Sequence, residues 1–160
     1  STALVGVDGW GDARFGSPET THVVLNDHLH ITDLIAPSRA ALIERVRALA
    51  DDDASLLGAL LDEALARFGR VIVATHVPPF AEACLYRGKV SDASWLPWFA
   101  CKATGEVLLA KAAAHADKSI CVLAGHMHER CTIRPLANLE VRVGAAEYGA
   151  PRVEDVIEIA

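Results

Sequence analysis

Two stretches constrain this chain more than any others: Val71-Ile72-Val73-Ala74 and Ile120-Cys121-Val122-Leu123-Ala124. Each is an unbroken apolar run that leads within two residues to a histidine. Apolar runs of that length without polar alternation belong to strands covered on both faces, the habit of parallel sheets in α/β proteins. Ligands of such sheets gather where the buried strands end, and His76 and His126 fall at those ends.

The segments around these runs predict the remaining layers. Thr2 to Val7 reads as a buried strand closed by Asp8-Gly9, and a polar loop follows to Pro18. Ser38 after Pro37 is a cap for a helix with apolar positions Ala41, Leu42, Val46 and Leu49; Asp51-Asp52-Asp53 is expected to end it. A second helix is expected from Ala54 to Phe68, stopped at Gly69-Arg70. Residues 77–103, with three prolines, Trp95, Trp98 and Phe99, read as a long ordered loop, and Gly105 to Ala116 as a helix. Three strand-like stretches close the chain, Thr132 to Leu136, Leu139 to Val143 and Val153 to Ile159, without helices between them. The expected fold is therefore mixed α/β in one domain, residues 1–160, ending in a β-meander.

Composition narrows the function classes. With 52% hydrophobic residues in 160, one core of ordinary size is expected. A formal net charge of -6 leaves no broad basic face for nucleic acid or an anionic membrane. No apolar run reaches the ~18 residues of a membrane span, and no basic-then-apolar leader opens the chain, so a cytoplasmic protein is expected. Cys84, Cys101, Cys121 and Cys131 lack C-x-x-C spacing, which favours four reduced thiols over a zinc ribbon or disulfide scaffold. Ser1-Thr2 leads straight into the first strand, and the expectation is either a removed initiator or cleavage from a longer protein.

Imidazole is a preferred ligand for borderline transition metals, and His126 and His128, at i and i+2 in extended backbone, would point to the same side. Gly125 is expected to permit the turn before them. His22 and His115 read as ordinary surface groups, and His28 and His30 as solvated.

Thr75-His76-Val77-Pro78-Pro79 and Gly125-His126-Met127-His128, in that order, resemble the last two sequence blocks of the calcineurin-like metallophosphoesterases. The segments Asp8 to Arg14 and Gly144 to Pro151 are similar to parts of a bacterial branch of that family. The resemblance implies part of a sandwich of two β-sheets flanked by helices. It also implies two divalent or trivalent ions (Mn, Fe or Zn) that clamp a phosphate ester and generate the attacking hydroxide. His76 and His126 would bind one ion and His128 the other. The substrate would be a small phosphomonoester or phosphodiester, drawn to an acidic chain by the charge of the ions.

The family's upstream blocks, D-x-H, G-D-x-x-D and G-N-H-[DE], are absent; Gly11-Asp12-Ala13-Arg14 departs from the second at Phe15. The bridging carboxylate and the catalytic acid or base are therefore expected in a missing N-terminal half, in the same precursor or as a separate chain. Alone, this chain is expected to bind one ion weakly or none, because three neutral imidazoles do not offset two close cations. The alternatives are a non-catalytic binding module that keeps the fold, and a mononuclear zinc site on the three histidines. Candidate substrate contacts are Asp12 and Arg14, Trp95, and Lys102. Against them stand an Asp12–Arg14 ion pair on a turn, aromatic residues that anchor the loop, and surface lysines of no special role.

Overall fold

The computed structural model describes residues 1–159. Its main sheet has five strands in the order β1 (Thr2–Gly6), β2 (Arg70–Ala74), β5 (Ser119–Ala124), β7 (Leu139–Val143), β6 (Cys131–Leu136). The first four are parallel neighbours, and β6 runs antiparallel to β7 at the edge. A two-residue ribbon, β3 (Leu85–Tyr86) with β4 (Lys89–Val90), stands apart.

The crossovers are α2 (Arg39–Arg67), between β1 and β2, and α4 (Lys102–Ala114), between β2 and β5. Both lie on one face of the sheet. Leu57, Leu61, Ala64 and Leu65 of α2 and Leu108 and Ala112 of α4 share a core with Val71, Val73, Ile120, Val122, Leu139 and Val141. The mixed α/β class thus stands, with a mainly parallel sheet and an antiparallel C-terminal pair. No helix among the described residues is long and apolar enough to cross a membrane.

Several local expectations change. The aspartate triplet does not break the helix, and α2 continues through it for 29 residues. Its buried positions Val46, Ala50, Ala54, Leu57 and Leu61 keep three- and four-residue spacing across the triplet, which contains neither Gly nor Pro. Ser38 is the cap expected, its hydroxyl accepting from Ala41 N at 3.2 Å. The first strand is an edge strand, with Leu4 exposed at 69%. Residues 153–159 form no strand; Val153 and Val156 are exposed and pair with nothing in the sheet. The C-terminal helix begins earlier than expected, at Lys102, and ends at Ala114.

Residues 77–101 are ordered by short pieces: a 3₁₀ turn over Ala81–Ala83, the β3–β4 ribbon and the single turn α3 (Leu96–Phe99). Trp98 is buried with Val46 and Leu34, so this loop is fastened to the N-terminal part of α2. A short helix α1 (Asp27–His30) lies below it, and His28 packs edge-on against Trp98 at 4.9 Å. His28 is thus half-buried, and burial lowers its pKa; the solvated reading does not hold for it.

Candidate metal centre

The site is built from three strand ends. At the end of β2, Thr75 N donates to Leu123 O at 3.0 Å, which keeps that residue in register with β5. The next amide, His76 N, donates instead to Asp8 O at 2.8 Å, and His76 O accepts from Gly125 N at 2.9 Å. His76 is thereby held on both sides, by the exit of β1 and the exit of β5.

Close approach of the β1 exit requires glycine at position 9. Its φ is +70°, and a Cβ there would fall 2.0 Å from Thr75 Oγ1. The Gly9 amide donates to Asp53 Oδ2 at 2.9 Å, and Arg14 Nη2 holds both oxygens of Asp51 at 2.8 Å. The aspartate triplet is therefore the latch for loop 8–14, a role not evident from its charge run.

The turn after β5 differs from expectation. His126 and His128 are not extended but left-handed, with φ of 65° and 58°. Gly125 carries no such burden, and a Cβ on it would meet only ordinary contact. Left-handed backbone is uncommon outside glycine, and strain of this kind is retained where surrounding structure fixes it. Here Met127, buried in the core, pins the turn from between the two histidines. Alternate left-handed residues break the i, i+2 rule of strands. His76 Nε2 and His126 Nδ1 meet at 3.0 Å, while the His128 ring packs on Tyr148, 4.7 Å between centroids.

The pair sits among aromatic rings. Trp10 lies 5.0 Å from His76 and Phe99 4.4 Å from His126, centroid to centroid. Burial first, then the neighbouring His76, pushes the His126 pKa down to about 4, so the ring is neutral at pH 7. His76 is lowered in the same way: the residue is exposed as a whole, but its ring is partly desolvated against its neighbours. Asp27 works in the opposite direction on both rings. The Trp98 main chain also favours protonated His126, yet His126 Nε2 is buried without an atom in hydrogen-bond geometry.

Two neutral imidazoles 3.0 Å apart share an N–H···N bond or a common ion. Nitrogens bonded to one zinc-sized ion at ~2.0–2.1 Å stand roughly 3 Å apart, so the pair fits as part of a metal site. Among the described residues, no group of three or more His, Cys, Asp or Glu side chains is placed to hold an ion. Two donors are in position, and the remainder of a coordination shell is not gathered around them.

The other candidates take different places. Asp12 is fully buried and accepts from Ala103 N at 2.9 Å and from Arg14 N and Nη1. With Arg14 on Asp12 and Asp51, both residues anchor loop 8–14 to α2 and α4. Trp95 is half-exposed and stacks edge-on against Phe99 at 5.5 Å, one ring removed from His126. Lys102 is exposed at the start of α4, 3.7 Å from Glu106. All four cysteines are free and buried, and burial pushes Cys84 up to about 12 and Cys101 to about 11. Trp10, Tyr148 and Asp27 were not singled out from the sequence. Trp10 was the findable one, directly after the Asp8-Gly9 that closes the first apolar run.

No protein-family model matches the chain, and no curated protein matches it. Among solved structures, it is similar to the crystal structure of a dimetal phosphatase from Danio rerio. The identity is 18% and the TM-score 0.41, over 59% of this chain and 26% of that one. The chain thus spans about a quarter of that phosphatase.

Proposed function

We propose that this chain carries part of the metal centre of a phosphoesterase acting on a small phosphomonoester or phosphodiester. The observation that supports the reading is the convergence of His76 Nε2 and His126 Nδ1 at 3.0 Å, from the ends of adjacent buried strands. His76 and His126 would hold one ion and His128, on the same turn, would face a second. Divalent or trivalent ions such as Mn, Fe or Zn supply Lewis acidity toward a phosphoryl oxygen and a nucleophile at neutral pH. The chain's own residues lower the pKa of both imidazoles, line one side of the pair with Phe99 and Trp10, and hold the His76 main chain through Asp8 and Gly125. Trp95, beyond Phe99, would offer an aromatic wall to the substrate, and Lys102 a mobile cation. The missing carboxylate ligands and the acid or base would come from an N-terminal half, joined to this chain or separate.

Calorimetric titration of the chain with Mn²⁺ and Zn²⁺ tests the centre. One ion per chain is expected, with affinity reduced at least roughly tenfold in His76→Ala and His126→Ala and falling as pH is lowered. No uptake, or uptake indifferent to both substitutions, overturns it. The absence of a third converging donor favours a second reading, a non-catalytic module that keeps the fold as a scaffold. That reading expects a folded chain with no uptake, and the same titration separates the two. Hydrolysis of an aryl phosphate ester by this chain combined with an N-terminal half bearing the upstream blocks would carry the enzymatic reading; inactivity of the metal-loaded whole would end it.

A further inference from the structure

The sheet face turned away from α2 and α4 carries a second concentration of charge, running from Arg70 at the N-terminal end of β2 to Arg142 toward the C-terminal end of β7. Strand register places Arg70 beside Ser119, Cys121 beside Glu140 and Leu123 beside Arg142, all on that face. Arg134 reaches the same place from β6 and pairs with Glu140. Together they line a cleft of about 230 Å³ at the N-terminal ends of β2 and β5, closed below by Ala137 and Asn138. At ~30 Å³ for each water in the liquid, that volume holds a phosphate-sized group with a few waters or a short substituent.

Three guanidiniums and one carboxylate line it, and a second carboxylate, Asp155, stands beside Arg142. Glu140 is gripped by both Arg134 and Arg142, and Asp155 stands 3.9 Å from Arg142 Nη1. Arg70 has no ion pair and no side-chain hydrogen bond among the described residues, although the cleft walls include its side chain. The Asn138 Nδ2 donates to the carbonyls of Ala112, His115 and Lys118, so it fixes the floor and has no N–H left for an anion. What remains is one guanidinium in excess of the acids, in a chain whose net charge is -6. Arg134 and Arg142 are held in place by the acid between them and still have N–H groups free, since each guanidinium carries five.

We infer that this cleft is a binding site for a small oxyanion, a phosphate- or carboxylate-bearing molecule, received by Arg70 with Arg134 as its second contact. A planar fork of N–H donors matches either anion in two-point geometry. Ser119 lies beside Arg70 in the register and adds a hydroxyl donor at the rim. Glu140 limits the site to a ligand that approaches from the Arg70 side, because its carboxylate occupies the space between the other two arginines.

The test is a calorimetric titration of the whole chain at constant ionic strength and with a chelator present. Inorganic phosphate is used in one arm and succinate in the other. A saturable heat with one site per chain in either arm is expected, and the arm that gives it identifies the anion class. Arg70→Ala and Arg134→Ala are both expected to weaken it by roughly tenfold or more, whereas His126→Ala leaves it unchanged. The Arg70 side chain makes no ion pair or hydrogen bond among the described residues, and far-UV circular dichroism of both arginine variants verifies the fold. No saturable heat in either arm overturns the site, as does equal heat in both arginine variants. Loss in His126→Ala would place the anion at the histidines instead. The chelator keeps this outcome independent of the metal centre.

Discussion

Glu140 illustrates how a single residue couples charge to stability. It lies between Arg134 and Arg142 with its carboxylate largely withdrawn from water, and the hydrogen bond from Arg142, followed by the two positive charges, holds its pKa below the usual carboxylate value of 4.5. A depressed folded pKa means that the unfolded chain binds the proton more readily. The stabilisation is therefore complete above about pH 4.5 and is lost as pH falls through the lower, folded value. Glu140→Gln is expected to lower stability at pH 7 by on the order of 1 kcal/mol. The difference from the parent should shrink as pH falls below 4.5, as read by urea unfolding at a series of pH values. A constant difference across that range would mean that packing, not charge, is what Glu140 contributes. At the same scale, the metal-ligand candidates were legible because an imidazole after a buried strand is an unusual juxtaposition. Their backbone was not: whether His126 is extended or left-handed depends on how Met127 is seated in the core.

At the scale of elements, α2 carries the clearest lesson. The apolar stripe Val46, Ala50, Ala54, Leu57 runs through the aspartate triplet without a phase change, and that stripe, more than the charge run, decides where a helix continues. The triplet then serves loop 8–14 through Gly9 and Arg14, a tertiary use that periodicity does not contain. The start of the same helix was local chemistry and was readable: Ser38 in extended backbone accepts from Ala41 N. Ser38→Ala should cost about 1 kcal/mol in urea-unfolding free energy. An unchanged value would show that tertiary contacts alone hold the first turn.

For the molecule as a whole, stability resides in the layer between the sheet and its two helices. Leu61 is fully buried there, in the same core as Val71, Val73 and Leu108. Leu61→Ala is expected to lower unfolding free energy by roughly 2–5 kcal/mol, measured by chemical denaturation. A loss below about 1 kcal/mol would mean that this layer collapses around the gap and that the core is looser than its burial implies. Residues 153–159 mark the limit of pattern reading at this scale. Their β-branched, alternating composition resembles a strand, but an isolated segment gains little from that preference without a neighbour to supply hydrogen bonds. The sheet ends at β6, and residues 153–159 do not add to its open outer edge.

The sequence by itself determined the five strands of the main sheet, the helical character of the segments before β2 and β5, and the position of His76 and His126 at the strand ends. These are matters of local periodicity and of where continuous apolar runs stop. Only the tertiary structure decided which faces of the strands are covered, that β1 is an edge, and that two of the three histidines meet while the third turns to Tyr148. Those outcomes depend on contacts between residues dozens of positions apart. The His76–His126 contact, across 50 positions, forms only when β2 and β5 lie side by side, with the Asp8 carbonyl and the Gly125 amide bonded to the His76 main chain between them.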